Sequence, residues 1–161
     1  MVDKSPHFEG LRVCQSPQDP ASWWGVPTGR HLTQKLTLAC IAWDVMATQT
    51  LVGSSLLLLE HLDLSKLSLE AVTLQGISSH NWPNLRYLHL THNKLDATAL
   101  SELSRCHLPS LEFMNFSHNT LHPAAMAYLF HANWPTVQVL KMSNNKLSTL
   151  GVQCLATGNC Q

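Results

Sequence analysis

The sequence predicts an α/β solenoid, a partial horseshoe of about five 26-residue units with a concave parallel β-sheet and convex helices. Three observations lead to this prediction. One apolar pattern recurs with a constant period along the chain, a strand-like alternation opens each unit, and apolar residues at helical spacing follow it. A single unit of this kind cannot bury its own apolar face, so the units are expected to stack.

The repeat is clearest in three segments that align without gaps. They start at Leu85, Leu111 and Val137 and share the pattern apolar-x-x-apolar-x-apolar-x-x-Asn-x-Leu. The same spacing extends back to units that contain Leu59 and Leu36, although these two lack the asparagine. The period predicts a repeat domain over residues 31–161 and an N-terminal cap or flexible segment over residues 1–30. The residues of that segment expected to cover the first core are Trp23, Trp24, Val26 and Pro27.

The first half of each unit predicts a strand followed by a turn. The alternating leucines point to one face of the strand, and each strand needs a neighbouring unit to satisfy its backbone groups. Asn93, Asn119 and Asn145 lie where the chain leaves the sheet, so we expect a ladder of buried amides that bond the turn backbone. Leu67 and Ile41 replace asparagine in the first two units. The ladder is missing there, and the sequence does not define the turn geometry.

The second half of each unit predicts a helix that faces inward. The positions at helical spacing are Ala99, Leu100 and Leu103, and then Ala125, Met126 and Leu129. Pro123 suits a first helical turn, where its missing N–H would be unpaired anyway. Trp82 and Trp134 each precede a proline and a new strand, so their rings are expected to wedge between units rather than to bind a ligand.

The pattern LxxLxLxxNxL resembles the leucine-rich-repeat family. The second half of the unit is similar to the ribonuclease-inhibitor type, because a small residue and then a leucine follow the asparagine turn, as in Leu95, Ala99 and Leu103. The resemblance implies a protein-interaction module that grips a globular partner on its concave sheet. Families with such repeats include inhibitors, ubiquitin-ligase substrate receptors and intracellular scaffolds, and the sequence does not choose among them.

Composition argues against several other classes of protein. Lys and Arg number ten, as do Asp and Glu, so no net field favours nucleic acid or an anionic membrane. Five cysteines without a CxxC motif favour free thiols in a reducing compartment, and the segment Met1–Val13 lacks the apolar core of a secretory signal. The apolar stretch 36–59 is interrupted by Gln49 and Gly53, which favours a buried repeat over a membrane span. We therefore expect a cytoplasmic protein without a cofactor, either a monomer or part of a longer chain.

The non-leucine positions of the strands point out of the concave sheet and form columns across it. The residues predicted to bind a partner there are His61, Tyr87, Phe113, Asp63, His89, Arg86, Glu112 and Lys141. Tyr87 and Phe113 are the proposed anchors, because exposed aromatic rings offer large, rigid contact area. Packing of these rings on one another explains the same residues without a partner. Arg86 lies between Glu60 and Glu112 and is expected to pair with them.

Two other functions fit the sequence. His61, Asp63 and His89 fall on neighbouring strands and could form a metal- or pH-responsive site, although zinc usually needs a further ligand and shielding from water. Alternatively, the chain could be a structural segment of a longer repeat array. Catalytic residues are not predicted, because the sequence has no glycine-rich phosphate loop, HExxH, GxSxG or calcium loop and the predicted surface is open.

Overall fold

The computed structural model describes residues 11–13, 34–38, 43–54 and 56–157. From Lys35 onward strands and helices alternate, and a 3-10 turn at Pro123–Ala125 leads into the fourth helix. The strands are β1 (Leu11–Val13), β2 (Lys35–Leu38), β3 (His61–Asp63), β4 (Tyr87–His89), β5 (Phe113–Asn115) and β6 (Val139–Lys141). The helices are α1 (Val45–Val52), α2 (Ala71–Ser78), α3 (Ala97–Leu103), α4 (Met126–His131) and α5 (Ser148–Thr157).

The six strands form one parallel sheet in chain order, so each strand from β1 to β5 pairs with the strand that follows it in the chain. The register follows the sequence period: Leu62 pairs with Leu88, which pairs with Met114. The side chains of these central positions are buried between the sheet and the helices. The predicted α/β solenoid is therefore confirmed.

Strand β1 was not predicted by the period. Leu11 pairs with Leu36, a separation one position short of the repeat, and no asparagine turn follows Leu11 in the sequence. The strand lies within the segment 1–30 that is expected to be a cap or a flexible segment. The rest of that segment, including the residues expected to cover the first core, lies outside the described residues, so the division into 1–30 and 31–161 stays a prediction.

The inward positions of the helices pack into the core as the spacing predicts, although Leu129 on α4 is only half-buried. Ala99, Leu100 and Leu103 on α3 are all 3% exposed or less, and Ala125 and Met126 are fully buried. Trp82 is buried, and its Nε1 donates to the carbonyl of Ile77 at 3.0 Å. Trp134 is half-buried and donates to the carbonyl of Cys106 at 3.4 Å. The structural role expected of these two tryptophans is confirmed.

The stretch 36–59 is part of this core. Leu36 and Leu38 on β2 and Leu51 on α1 are buried against the following unit. Helix α1, Val45–Val52, has only 8 residues. Among the residues that the structure describes, no helix is long and apolar enough to cross a membrane.

A ladder of asparagine side chains joins adjacent units, as predicted. Asn119 Oδ1 accepts from the backbone N–H groups of Asn93 and Leu95, both at 3.0 Å. Its Nδ2 donates to the carbonyls of Leu90 and Phe116 at 2.9 and 2.8 Å. Asn93 and Asn145 make the equivalent contacts one unit earlier and one unit later. Each asparagine thus satisfies backbone groups in the turn of the preceding unit. Asn93 and Asn119 are buried, whereas Asn145 is half-buried.

The turn of the second unit corrects one expectation from the sequence. Although Leu67 replaces the asparagine, its backbone N–H donates to Oδ1 of Asn93 at 2.8 Å, because the ladder reaches back by one unit. Lys66 has a positive φ of 61°, which matches the 58° of His92 and the 59° of His118 at equivalent positions. The second turn therefore keeps the geometry of the complete units. Ile41, its counterpart in the first unit, lies outside the described residues.

A second ladder runs along the opposite edge of the sheet, and the sequence did not reveal it. The side chains of Asn84, Ser110 and Thr136 donate to carbonyls of the preceding unit at 2.7, 2.7 and 3.1 Å. These positions follow the repeat period although their residue types differ. Three chemically different side chains can each donate one hydrogen bond, so no single residue type identifies the position in the sequence.

Replacing Asn119 tests the asparagine ladder. Asn119→Ala removes an acceptor from two backbone N–H groups and a donor from two carbonyls, so the free energy of unfolding should fall by about 3 kcal/mol. Urea denaturation followed by circular dichroism measures this change. The matched control is Asn84→Ala, since Asn84 is exposed and makes one bond; its cost should stay below about 1 kcal/mol. Equal costs for the two variants would contradict a special role of the buried ladder.

Candidate functional site

The sheet places the predicted binding residues in the expected columns. His61 pairs with Tyr87, and Tyr87 pairs with Phe113, so their side chains follow one another across β3, β4 and β5. Asp63 and His89 form the neighbouring column, two positions further along the same strands. In each of these strands the central residue is buried and the two flanking residues are half-buried, which separates the core from the open face of the sheet.

Four rings on this face form a continuous group, which we call the aromatic strip: His61, Tyr87, Phe113 and His89. His61 and Tyr87 stack with centroids 4.1 Å apart and planes within 7°. The ring of Phe113 lies 6.2 Å from that of Tyr87 and 5.1 Å from that of His89, both in a tilted arrangement. Because each ring is held by its neighbour, the strip is a preformed surface rather than a set of independent side chains.

A row of alternating charges borders the strip. Arg86 makes two hydrogen bonds to the carboxylate of Glu112, from Nε at 2.9 Å and from Nη2 at 3.0 Å, and its Nη1 lies 4.0 Å from Glu60. The expected pairing of these residues is confirmed. The hydrogen bonds to Glu112 raise the pKa of the Arg86 guanidinium. All three side chains are substantially exposed, so their pairing orients the arginine more than it stabilises the fold.

Lys141 and Asp63 are the two charged residues of the neighbouring column on β3 to β6. The Lys141 ammonium lies 5.4 Å from the centre of the Phe113 ring, an arrangement that allows a cation–π contact. Asp63 Oδ1 accepts from the backbone N–H of Ser65 at 3.0 Å, and Asn115 makes the same contact to Ser117 two units later. Asp63 therefore has a local structural role in addition to its position on the open face.

The possible metal site is not assembled by the structure. Within the described ranges, no three residues among His, Cys, Asp and Glu come together in a group that could hold a metal ion. Burial lowers the pKa of His61, and the nearby Lys35 lowers it further. Burial also lowers the pKa of His89, against an opposing effect of Asp63. Burial within this packed group of rings therefore favours the neutral form of both imidazoles.

Two further histidines form a contact that the sequence did not reveal. His92 and His118 are exposed turn residues, as expected, but their rings stack at 4.2 Å with planes within 11°. Asn144 Nδ2 lies 3.1 Å from Nε2 of His118. The positive φ of each turn residue directs these side chains along the same edge of the sheet. The spacing of the two histidines by one repeat period was the signal that could have predicted this stack.

The surface around the charged row is an open groove of about 300 Å³. It is lined by Glu60, Asn84, Arg86, Pro109, Ser110, Glu112 and Thr136. Such an open shape does not enclose a small substrate. The hydroxyls of Ser110 and Thr136 in its lining donate to backbone carbonyls of the preceding unit. Among the cysteines that the structure describes, Cys106 and Cys154 are buried and free, and burial raises the pKa of Cys106 to about 12. The remaining cysteines, Cys14, Cys40 and Cys160, lie outside the described residues.

Comparison with known proteins identifies the family. A model of the family described as Leucine Rich repeat matches residues 83–104 and 135–156. The two matches begin at equivalent positions of units that are two repeat periods apart, and each covers a strand and most or all of the helix that follows. The chain is a leucine-rich-repeat protein. No curated protein matches it closely enough to be called a relative.

Leucine-rich-repeat domains generally mediate protein–protein interaction, and the family is typically non-enzymatic. The ribonuclease-inhibitor type, the residues that contact a partner and the cytoplasmic location of this leucine-rich-repeat protein stay predictions. The aromatic strip and the charged row are the features of the described sheet on which a binding proposal can be built.

The lowered pKa values predict that acid destabilises the fold through the strip. The unfolded chain takes up protons at His61 and His89 near pH 6.5, before the folded protein does, so the free energy of unfolding should decline as the pH falls below about 6.5. Urea denaturation at pH 7.5 and pH 5 measures the decline. The double variant His61→Gln, His89→Gln should lose less stability between these two pH values than the wild type.

Two exposed histidines provide the control for that comparison. The variant His107→Gln, His122→Gln removes the same number of imidazoles from outside the strands of the sheet. If the strip variant lost as much stability on acidification as the wild type, the desolvation of His61 and His89 would not contribute to the acid sensitivity.

Proposed function

We propose that this leucine-rich-repeat protein is a non-enzymatic module that binds a protein partner on the concave face of its sheet. The observation that carries the proposal is the aromatic strip, which crosses β3, β4 and β5 without interruption. Aromatic side chains dominate the energetics of protein interfaces, because they bury a large apolar area with few rotatable bonds.

The packing within the strip favours binding as well as stability. Association has an entropic cost whenever interface side chains become ordered, and rings that are already in contact have lost most of that freedom. His61 and Tyr87 are stacked, and Phe113 contacts both Tyr87 and His89. The rings remain half-buried, so each keeps area that a partner can cover.

The charges beside the strip would select the partner. Arg86 is fixed by Glu112 on one side and faces Glu60 on the other, whereas Lys141 and Asp63 occupy the neighbouring column. Charges on the rim of an interface affect association rate and specificity more than affinity. Since both signs are present, the proposed partner carries complementary charges of both signs around an apolar centre.

Ring packing within the sheet accounts for the same contacts without any partner. In that case, removing two rings would lower the free energy of unfolding and would not affect the binding of any partner. The structural-segment interpretation makes a similar prediction, because a segment of a larger array needs no partner surface of its own. Binding and stability must therefore be measured on the same variants.

The test replaces both proposed anchors. A partner is first identified by affinity purification and mass spectrometry and then produced in pure form, and its dissociation constant is measured by calorimetry. Tyr87→Ala with Phe113→Ala should weaken binding by at least about a hundredfold, since anchor residues each contribute about 2 kcal/mol or more. The variant should remain folded by circular dichroism.

A matched pair of aromatic residues lies on the convex side. Tyr128 and Phe130 on α4 are 37% and 42% exposed, and replacing both with alanine removes the same two ring types away from the sheet. This control should bind the partner like the wild type. Unchanged affinity of the Tyr87→Ala, Phe113→Ala variant would overturn the assignment of the concave face.

A further inference from the structure

The backbone beneath the aromatic strip leaves a bound segment nothing to pair with. β3, β4 and β5 each have a partner strand on both sides, so their N–H and C=O groups bond within the sheet. A peptide that lies on the strip therefore cannot extend the sheet as a further strand. It is recognised by side chains of the open face, and its own backbone groups must be satisfied in another way.

The strip offers hydrogen-bond donors that no residue in the described ranges uses. Neither the hydroxyl of Tyr87 nor the ring nitrogens of His61 and His89 have a hydrogen-bond partner among those residues. A hydroxyl and a neutral imidazole each carry one donor, and backbone carbonyls that their own chain leaves free are suitable acceptors. An α-helix bonds most of its carbonyls internally, whereas a polyproline II helix has no internal hydrogen bonds. The free donors therefore favour a polyproline II segment over a helix.

The spacing of the rings matches the period of a polyproline II helix. β3 and β5 are two strand spacings apart, about 9.6 Å. Over this interval the ring centroids are separated by 4.1 Å from His61 to Tyr87 and by 6.2 Å from Tyr87 to Phe113. One turn of polyproline II has three residues and spans about 9.3 Å. Two residues three positions apart on such a helix therefore face the two ends of this column of rings.

Cations already lie beside two rings of the strip, which favours an uncharged anchor. The guanidinium of Arg86 lies 5.8 Å from the centre of the Tyr87 ring, and the ammonium of Lys141 lies 5.4 Å from that of Phe113. A positively charged anchor of the partner would meet like charges there. Proline presents a compact apolar ring instead. Because the polyproline II conformation is largely formed before binding, a proline-rich segment loses little entropy when it meets rings that are already packed.

The charges at the two ends of the strip differ in sign. Glu60 and Asp63 lie on either side of His61 in the sequence, and Lys35 pairs with His61 in the register, so one negative charge is in excess at this end. Lys141 lies at the opposite end. Complementary charges on the rim of an interface select the partner and its orientation. The segment that fits best therefore has a basic residue at the β3 end and an acidic residue at the β6 end.

We infer that the partner binds the aromatic strip through a proline-rich segment in the polyproline II conformation. One proline lies over the stacked rings of His61 and Tyr87, and a second proline, three positions away, lies over Phe113 and His89. Carbonyls of the segment accept hydrogen bonds from the hydroxyl of Tyr87 and from the imidazoles. The segment is the part of the proposed partner that the concave face recognises, so the inference rests on the proposed function.

The test measures the fluorescence anisotropy of three labelled peptides with the full chain. The first, Arg-Ala-Pro-Ala-Ala-Pro-Ala-Glu, places two prolines three positions apart between a basic and an acidic residue. The second, Arg-Ala-Pro-Ala-Pro-Ala-Ala-Glu, has the same composition but directs its prolines to different faces, and the third has leucine in place of both prolines of the first. The first peptide should bind at least about tenfold more tightly than either of the others.

Variants of the protein locate the bound peptide. Tyr87→Phe keeps the ring and removes a hydroxyl that has no partner in the described structure, so it should weaken binding of the first peptide about fivefold without lowering the free energy of unfolding. Tyr87→Ala with Phe113→Ala should remove saturable binding up to about 1 mM peptide. The convex control, Tyr128→Ala with Phe130→Ala, should bind the peptide like the wild type.

Three results would overturn the inference. They are no saturable binding of the first peptide to the wild type up to about 1 mM, equal or tighter binding of either comparison peptide, and full affinity in the Tyr87→Phe variant or in the Tyr87→Ala, Phe113→Ala variant. Tighter binding of the leucine peptide would assign the strip to an amphipathic segment. If the first peptide does not bind but Tyr87→Ala with Phe113→Ala still weakens binding of the purified partner, this inference fails and the proposed function stands.

Discussion

Every described strand of this protein depends on a strand one unit away for its backbone hydrogen bonds. The strands are very short, far too short to form a stable structure alone. Their N–H and C=O groups bond across the sheet to positions one repeat period distant, and the asparagine side chains add bonds over the same interval. Stability therefore depends on contacts between neighbouring units.

This dependence on neighbours also forms the proposed binding surface. A constant register brings each outward-facing residue beside its equivalent in the next unit, so His61, Tyr87 and Phe113 become a strip although they are far apart in sequence. The same register aligns Glu60, Arg86 and Glu112 into a charged row. A shift of one position in any strand would turn these side chains toward the core and remove both features. The architecture and the site therefore have one common origin.

The sequence predicted the fold in detail because the repeat makes each position visible several times. The structure confirms several predictions in the described residues: the buried leucine columns, the asparagine ladder, the place of Pro123 at the start of a helical turn, and the structural role of Trp82 and Trp134. The turn at Leu67 was the informative failure. This unit has no asparagine of its own, but the acceptor for its turn comes from Asn93 in the next unit, so the bond belongs to a pair of units.

Some features could not be predicted from residue letters. Asp44 and Asp96 cap α1 and α3 through bonds to Ala47 and Ala99, yet the same position in α2 is Glu70, which makes no such bond. The ladder of Asn84, Ser110 and Thr136 could not be recognised in the sequence either, because three different residue types donate its hydrogen bonds. For the site, the columns were predictable from strand alternation, but the ring stacking and the lowered pKa values depend on side-chain conformation and burial.

Residue-resolved amide hydrogen exchange of the dilute protein tests the dependence on neighbouring units most directly. The N–H of Phe116 donates to the carbonyl of Lys141 at 2.7 Å, whereas the equivalent N–H of Met142 has no following strand among the described residues. The account predicts that the Phe116 amide exchanges at least about a hundredfold more slowly than the Met142 amide. Equal protection of the two amides would contradict the claim that each strand is secured by the unit after it.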